Sequence, residues 1–435
     1  MRTFSIIWFG QVISLTGTAM TRFALIIWAF QEDGSATTIA LMGFFAFVPF
    51  VVTSPFAGVL VDRWPRRTVL ILSDLGAALT TTLLLVFMAM GELEIWHLFM
   101  AEALTGFFDA FQVPAYDAAI SQLIPKKHYS RASGMRSLAF SGADVAAPVL
   151  AGALLALISI RVVLIVDLVT FMVALGTLLV IKIPDLPSEE VESEQTATTW
   201  QQIRFGFRFI IERRGLFGLM LIMAAINLIG SLTYLALLPT MVLARSGGDE
   251  LILAAVQSAL GIGGVVGGLV LSAWGGPRRR LDGILIGAAI SFLAGDFLLG
   301  TGQSQTVWII GSFVAAIFIP IILGMDRAIW QSKVPPRLQG RIFATHGMVR
   351  RVTIPLGYLL AGPLADWVFE PAMASGGWLA DTFGPLVGVG PGAGMGLMFV
   401  CTALIGCTIS LSGYLYPALR RVDMDLPDHD FVPAG

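Results

Sequence analysis

Four of the ionisable side chains that lie inside otherwise apolar stretches could form one set: Arg22, Glu102, Asp109 and Asp144. A charge in such surroundings is costly, so it is paired or it is used. Glu102 and Asp109 are seven residues apart, which on a helix puts them on nearly one face, two turns apart. Counted at about 1.5 Å per residue from the ends of their stretches, Arg22 and Glu102 share a depth, and Asp144 falls near Asp109. One cation and three carboxylates so placed can do proton chemistry. Burial favours the neutral form of a carboxylate, so a proton can bind near neutrality and a cationic or polar ligand can compete with it. The order expected for the coupling acid is Asp109, then Glu102, then Asp144. The plainer alternative is a static Arg22–Glu102 pair that only fixes helix packing. Asp74 and Asp167 read as structural. Asp296 reads as solvated near the end of its stretch, and Asp326 and Arg327 as lying at the inner end of theirs, next to a charged loop.

Other chemistries find no residues to carry them. The four histidines (His97, His128, His346, His429) are scattered, and no metal-ligand spacing occurs. The two cysteines, Cys401 and Cys407, share one apolar run, where packing is their expected role. No nucleophile–base set and no phosphate-cradling glycine loop are found. The net charge of −2 offers no basic surface for nucleic acid. Neither a cofactor nor a metal, and no enzymatic activity, is expected.

The elements that must position these charges are membrane spans. Hydrophobic residues make up 56% of the 435-residue chain and charged ones only 13%, against about 25% charged in soluble domains. A span takes about 20 apolar residues. Twelve stretches qualify: 4–30, 38–61, 68–90, 95–117, 136–158, 161–181, 216–243, 251–274, 281–300, 306–328, 344–369 and 395–417. The first is too long for a signal-peptide core and reads as a span. Most of the 27 Lys and Arg residues fall in alternate connections, beginning with Arg2, and the intervening ones hold only Arg161 and Arg245. The positive-inside rule then puts both termini in the cytoplasm.

The middle of the chain differs. Residues 183–199, IPDLPSEEVESEQTATT, are acidic and carry prolines, the composition of a linker. Trp200, Ile203, Phe207, Ile210 and Ile211 then recur at helical spacing opposite Gln201, Arg204, Arg208 and Glu212, which predicts a helix lying in the interface. The expected organisation is a six-helix bundle over 1–182, a linker with this helix over 183–215, a second six-helix bundle over 216–420 and a tail over 421–435. The bundles repeat each other. A shift of 210 positions brings Gly58 onto Gly268, Trp64 onto Trp274, Pro125 onto Pro335 and Arg131 onto Arg341. Parallel repeats place a binding site between the halves near mid-membrane, with rocking of one half against the other giving access.

Between the second and third spans stands GVLVDRWPRRTVL, with Gly58, Leu60, Asp62, Arg63, Arg66 and Arg67 in a G-x-L-x-D-R-x-x-R-R pattern. This resembles the signature loop of the major facilitator superfamily, with Pro65 where a glycine is usual. GQVISLTGTAMTRFALIIW in span 1 and VPAYDAAISQLIP after span 4 narrow the resemblance to the drug:proton antiporters, the branch of macrolide-efflux and enterobactin-exporter proteins. The resemblance implies an all-α membrane protein of twelve spans in two parallel six-helix repeats. It also implies that the loop is a cytoplasmic gate that latches the halves and yields on opening inward. Asp62 can face a helix N-terminus, and Arg63 can reach Asp117 at the inner end of span 4. The arginines also serve as topology signals near anionic lipid. The second half lacks the latch, with Ser272 and Ala273 at the corresponding positions. Span 4 carries no arginine where many proton antiporters of the family have one, and Arg22 is the expected substitute.

The cavity implied is apolar, with Phe44, Phe45, Phe47, Phe107, Phe108 and Phe111 available and Asn227 and Tyr234 as polar anchors, a lining suited to amphipathic molecules. Residues 370–394, rich in Gly and Pro and free of Lys and Arg, form a long connection that could act as an outer lid. The reading is a monomeric secondary exporter of amphipathic small molecules, of drug or macrolide type, in a bacterial inner membrane and driven by proton influx. A siderophore or a lysophospholipid is the rival cargo. A non-transporting receptor or accessory subunit is the rival class.

Overall fold

Backbone in lipid must satisfy its own hydrogen bonds, and a chain this apolar does so by coiling into helices. The computed structural model describes residues 2–125, 128–181 and 199–422, and no strand occurs among them. Six long helices come first: α1 (Arg2–Asp33), α2 (Ala36–Arg63), α3 (Arg66–Met90), α4 (Ile95–Leu123), α5 (Tyr129–Leu157) and α6 (Ile160–Val180). A shorter α7 (Thr199–Glu212) follows. The next span is α8 (Arg214–Gly230), a π-helical stretch at Ser231–Leu235, a turn, and α9 (Leu238–Ser246). Then come α10 (Glu250–Trp274) and a span built of α11 (Arg280–Ile290), a π-helical Ser291–Asp296 and α12 (Phe297–Thr301). The chain continues with α13 (Gln305–Lys333) and α14 (Pro336–Leu364), which runs through a third π-helical stretch, Ala365–Phe369, into α15 (Glu370–Met373). The last elements are α16 (Ala380–Val387), α17 (Ala393–Ser412) and α18 (Pro417–Arg420).

Eleven of the twelve expected spans are helices long and apolar enough to cross a membrane. The twelfth, α4, has the length at 29 residues, but Glu102, Asp109 and Asp117 dilute its apolar character. Prolines inside α2, α4, α5 and α13 are tolerated, as is usual where neighbouring helices re-satisfy the freed backbone.

The helices form two compact units. One comprises Met1–Glu194, Ala236–Gly261 and Ala361–Asp366; the other Gln195–Leu235, Ile262–Leu360 and Trp367–Gly435. In the first unit α4 packs on α2 and α3, and α1 on α5 and α6. Small residues allow this. A Cβ at Gly106 of α4 would lie 2.0 Å from the carbonyl oxygen of Ala46, so α2 and α4 approach backbone to backbone. The second unit surrounds an apolar core that includes Leu219, Leu285, Ile322, Trp330 and Ile342.

The amphipathic helix expected after the linker is α7. Phe209 and Ile210 are buried in the second unit's core, while Arg208 and Glu212 stand exposed and paired at 2.8 Å. A Cβ at Gly206 would meet the Thr345 hydroxyl at 2.1 Å, so α7 docks closely on α14. The linker itself lies outside the described residues up to 198. The 370–394 connection is folded rather than open. The Glu370 carboxylate accepts from the Gly392 and Met395 amides at 3.0 and 2.8 Å, tying α15 to the start of α17. Met373 and Val387 are buried against α17, whereas Trp378 is 76% exposed.

Candidate functional site

The site grows from α4. Glu102, 6% exposed, receives Arg22 of α1 in a two-point pair, Nη2 to Oε2 at 2.7 Å and Nε to Oε1 at 3.4 Å. This fork geometry is the strong form of a carboxylate–guanidinium pair. The pair is asymmetric, since the Arg22 side chain remains 48% exposed. Two turns along α4 stands Asp109, half-buried, within electrostatic reach of both Arg22 and Glu102. It makes no hydrogen bond or ion pair among the described residues. Asp109 in turn acts on Asp74 of α3. Asp74 is buried and accepts from Gln112 at 2.6 Å and Gln11 at 3.2 Å. A row of charge thus runs along α4 between α1 and α3. Its two ends are satisfied, and Asp109 in the middle is the acid left open to a proton or a ligand.

Arg22, Glu102 and Asp109 are therefore brought together as expected, and Asp144 is not. Asp144 lies exposed on α5, and no ion pair joins it to the others among the described residues. Asp167, read as structural, is buried and accepts from Thr21 at 2.9 Å and Thr81 at 3.0 Å, binding α6 to α1 and α3. In the second unit Asn227 is engaged with its own neighbours: its amide donates to the Arg350 carbonyl at 2.7 Å and to the Thr353 hydroxyl at 2.8 Å, linking α8 to α14. The Tyr234 hydroxyl is buried and faces Asp296. Asp296 overturns the expectation of a solvated acid. It is 0% exposed, because α12 carries the span beyond it and α13 and α17 cover it. Asp326 is likewise buried, accepting from the Trp330 indole at 3.0 Å, while Arg327 is exposed.

Of the signature loop, the side chains of Asp62 and Arg63, and the surroundings of Gly58, lie outside what is described. Asp117, expected as Arg63's acid, pairs with Arg136 of α5, whose guanidinium also lies 5.9 Å from the Tyr116 ring and 5.7 Å from that of Phe140. Arg67 donates to the Leu178 and Leu179 carbonyls at 2.8 Å each, closing the C-terminal end of α6. Arg66 donates to the Trp64 carbonyl at 3.1 Å. Both arginines thus hold backbone at helix ends, where cations are favoured or carbonyls are free.

Sequence reasoning missed Gln11, Gln112 and Asp366. The glutamines left a signal: an amide inside a span needs partners. Asp366, in the π-helical stretch Ala365–Phe369 and at the end of the short segment that belongs to the first unit, caps α2. Its carboxylate accepts from the Ser35 hydroxyl at 2.8 Å and from the Ala36 and Thr37 amides at 3.1 and 2.7 Å. Beside it, a Cβ at Gly362 would lie 2.4 Å from the Cα of Thr37. Among the described residues no group of His, Cys, Asp and Glu could hold a metal ion.

The sequence model of the Major Facilitator Superfamily matches residues 7–358. Macrolide efflux protein A of Streptococcus pyogenes is 25% identical over 367 residues, covering 83% of this chain and 89% of that protein. Multidrug efflux pump Tap of Mycolicibacterium fortuitum is 24% identical, covering 83% and 88%. Among solved structures, a bacterial homologue of the human lysosomal transporter Spinster, inward-facing and unoccupied, superposes with a TM-score of 0.71 at 18% identity, over 99% of each chain. Nucleoside transporter NupG gives a TM-score of 0.63 at 13% identity, over 95% of this chain and 99% of that one.

Proposed function

This chain belongs to the major facilitator superfamily, and from that premise we propose that it exports amphipathic small molecules across a bacterial plasma membrane by alternating access, in exchange for protons. Its similarity to macrolide and multidrug efflux proteins supports the direction and the cargo class. The observation that carries the coupling is the Arg22–Glu102–Asp109 row.

Charge arithmetic gives the mechanism. With Asp109 protonated, Arg22 and Glu102 cancel and these three groups together are neutral. With Asp109 ionised the three carry one net negative charge in a low-dielectric wall, where charges interact more strongly than in water. A cationic or strongly dipolar amphiphile neutralises that charge, so it binds the deprotonated form. A proton arriving from the acidic side takes its place and releases the cargo. Proton and cargo thus exclude one another at one carboxylate, which is the requirement for exchange. Phe107, Phe108 and Phe111, on the same helix and packed edge to face at 5.2 to 5.4 Å, supply apolar surface beside it.

The test uses purified protein in liposomes under an inward proton gradient, with a panel of fluorescent lipophilic cations and a macrolide, following cargo and lumenal pH together. Cargo-dependent proton flux in the wild type that disappears in Asp109→Asn is the expected result. Coupled flux that survives in Asp109→Asn overturns the role of Asp109. Cargo movement with no proton movement in the wild type overturns antiport itself.

A further inference from the structure

The second unit holds an acid that the row on α4 does not account for. Asp296 ends the π-helical stretch Ser291–Asp296, and neither carboxylate oxygen has a hydrogen-bond partner among the described residues. The group facing it is the Tyr234 hydroxyl, itself buried and without a partner of good geometry. Tyr234 sits in another π-helical stretch, Ser231–Leu235. Such stretches are rare and concentrate at functional sites. Each carries an extra residue that frees the local backbone to shift.

Position adds a second observation. The chain leaves the second unit directly after Leu235, and residues 236 and 237 form a turn rather than helix. Tyr234 is therefore held one residue from the joint of its span. Asp296 is held in place by close packing. A Cβ at its neighbour Gly295 would meet that of Ala315 at 2.2 Å, and one at Gly300 would meet the Gly396 carbonyl oxygen at 2.6 Å. Tyr234 is braced on one side by the Phe399 ring, edge to face at 6.2 Å. Any rearrangement at the joint moves the phenol against a fixed carboxylate.

The chemistry of the ligand follows from what is absent around the acid. Hard cations take about six oxygens; here one carboxylate and one phenol meet in a tightly packed interior. The elements packed on Asp296 bring no cation to it among the described residues. The charged groups of α13, Asp326, Arg327 and Lys333, lie at its far end, and those of α11, Arg280 and Asp282, lie in its first turn. Cys401 and Cys407 are the titratable groups of α17, and Tyr234 is the titratable neighbour of the acid. A carboxylate with no counter-charge in a sealed apolar site takes up a proton instead.

We infer that Asp296 is a proton-binding site of the second unit, separate from the α4 row, and that Tyr234 ties loading and release of its proton to movement at the span joint beside Ala236. In the loaded state the phenol closes on the protonated acid, which donates to the phenol oxygen. When the phenol is drawn away, the acid loses its acceptor and exchanges its proton with solvent.

The test is infrared difference spectroscopy of the full-length protein in lipid films. Spectra are taken between acidic and alkaline pH, and with and without a transported lipophilic cation at fixed pH. The wild type is expected to show a carboxylic-acid carbonyl band that changes with pH and with cargo. That band should be lost in Asp296→Asn, shifted in Tyr234→Phe and kept in Asp109→Asn. If Asp296→Asn does not fold, the Tyr234→Phe shift decides. Spectra of Asp296→Asn that superpose on the wild type, a band that never responds to pH or cargo, or one that responds to sodium at constant pH would each overturn the inference. Because the Asp109→Asn protein retains the band, failure here and failure of the α4 coupling are told apart.

Discussion

Removing Arg22 strands Glu102, a nearly buried carboxylate, without its counter-charge. Breaking a fully buried pair costs about 3–5 kcal/mol. The Arg22 side chain is half-exposed, so water offsets part of this, and Arg22→Ala should cost about 1–3 kcal/mol. Glu102→Gln, which leaves no buried anion, should cost less. Thermal unfolding of the single and double variants in detergent gives the coupling between the two side chains directly. A purely static pair would lose stability in both variants and keep proton-coupled transport in Glu102→Gln. The row was legible in the sequence because residue counts along two helices fix depth, and seven-residue spacing fixes a face. Depth counted along a helix says nothing about the angle around its axis, and Asp144 makes no ion pair with the others among the described residues. Asp296 was misread because the end of an apolar stretch is not the end of a helix. The span runs on to Thr301, and its neighbours close over the acid.

Helix ends and helix crossings depend on a few atoms each. The N-terminus of α2 is satisfied by a carboxylate more than 300 residues away. Asp366→Ala withdraws an acceptor from three donors and should cost about 1–2 kcal/mol, by analogy with lost caps and the helix dipole. Hydrogen exchange should quicken at the Ala36 and Thr37 amides first. At the α2–α4 crossing, Gly106→Val forces a side chain into the Ala46 carbonyl and should cost about 1–3 kcal/mol as overpacking. Gly142→Ala in α5 meets nothing within 4 Å and should raise stability by a few tenths of a kcal/mol to about 1 kcal/mol through helix propensity. Comparing the two melting temperatures separates close approach from mere glycine content. The long helices were readable from apolar length and α7 from its periodicity. The π-helical stretches were not, since nothing in SLTYL or SFLAGD marks an extra residue. The long-range cap of Asp366 was hidden as well, because two of its three partners are backbone amides and the third is a lone serine hydroxyl.

For the whole molecule, the basic residues predict orientation. Single cysteines introduced after replacing Cys401 and Cys407 should report it. A membrane-impermeant thiol reagent on intact cells should label a cysteine at Trp378 and leave one at Arg279 untouched until the cells are opened. The reverse pattern would invert the topology and, with it, the direction assigned to the proton gradient. The make-up of the compact units has a consequence for the gene. Each unit is assembled from separated lengths of chain, and the first takes Ala236–Gly261 and Ala361–Asp366 from beyond the linker. A gene divided within the linker, before Gln195, would give two translation products of six spans apiece; the second would contain the whole of the second unit, whereas the first would lack two pieces of its own. Made alone, the first product should be degraded in the membrane. Made together with the second, it should recover, and the efficiency of that rescue would measure how much of the first unit's fold is borrowed from the other polypeptide.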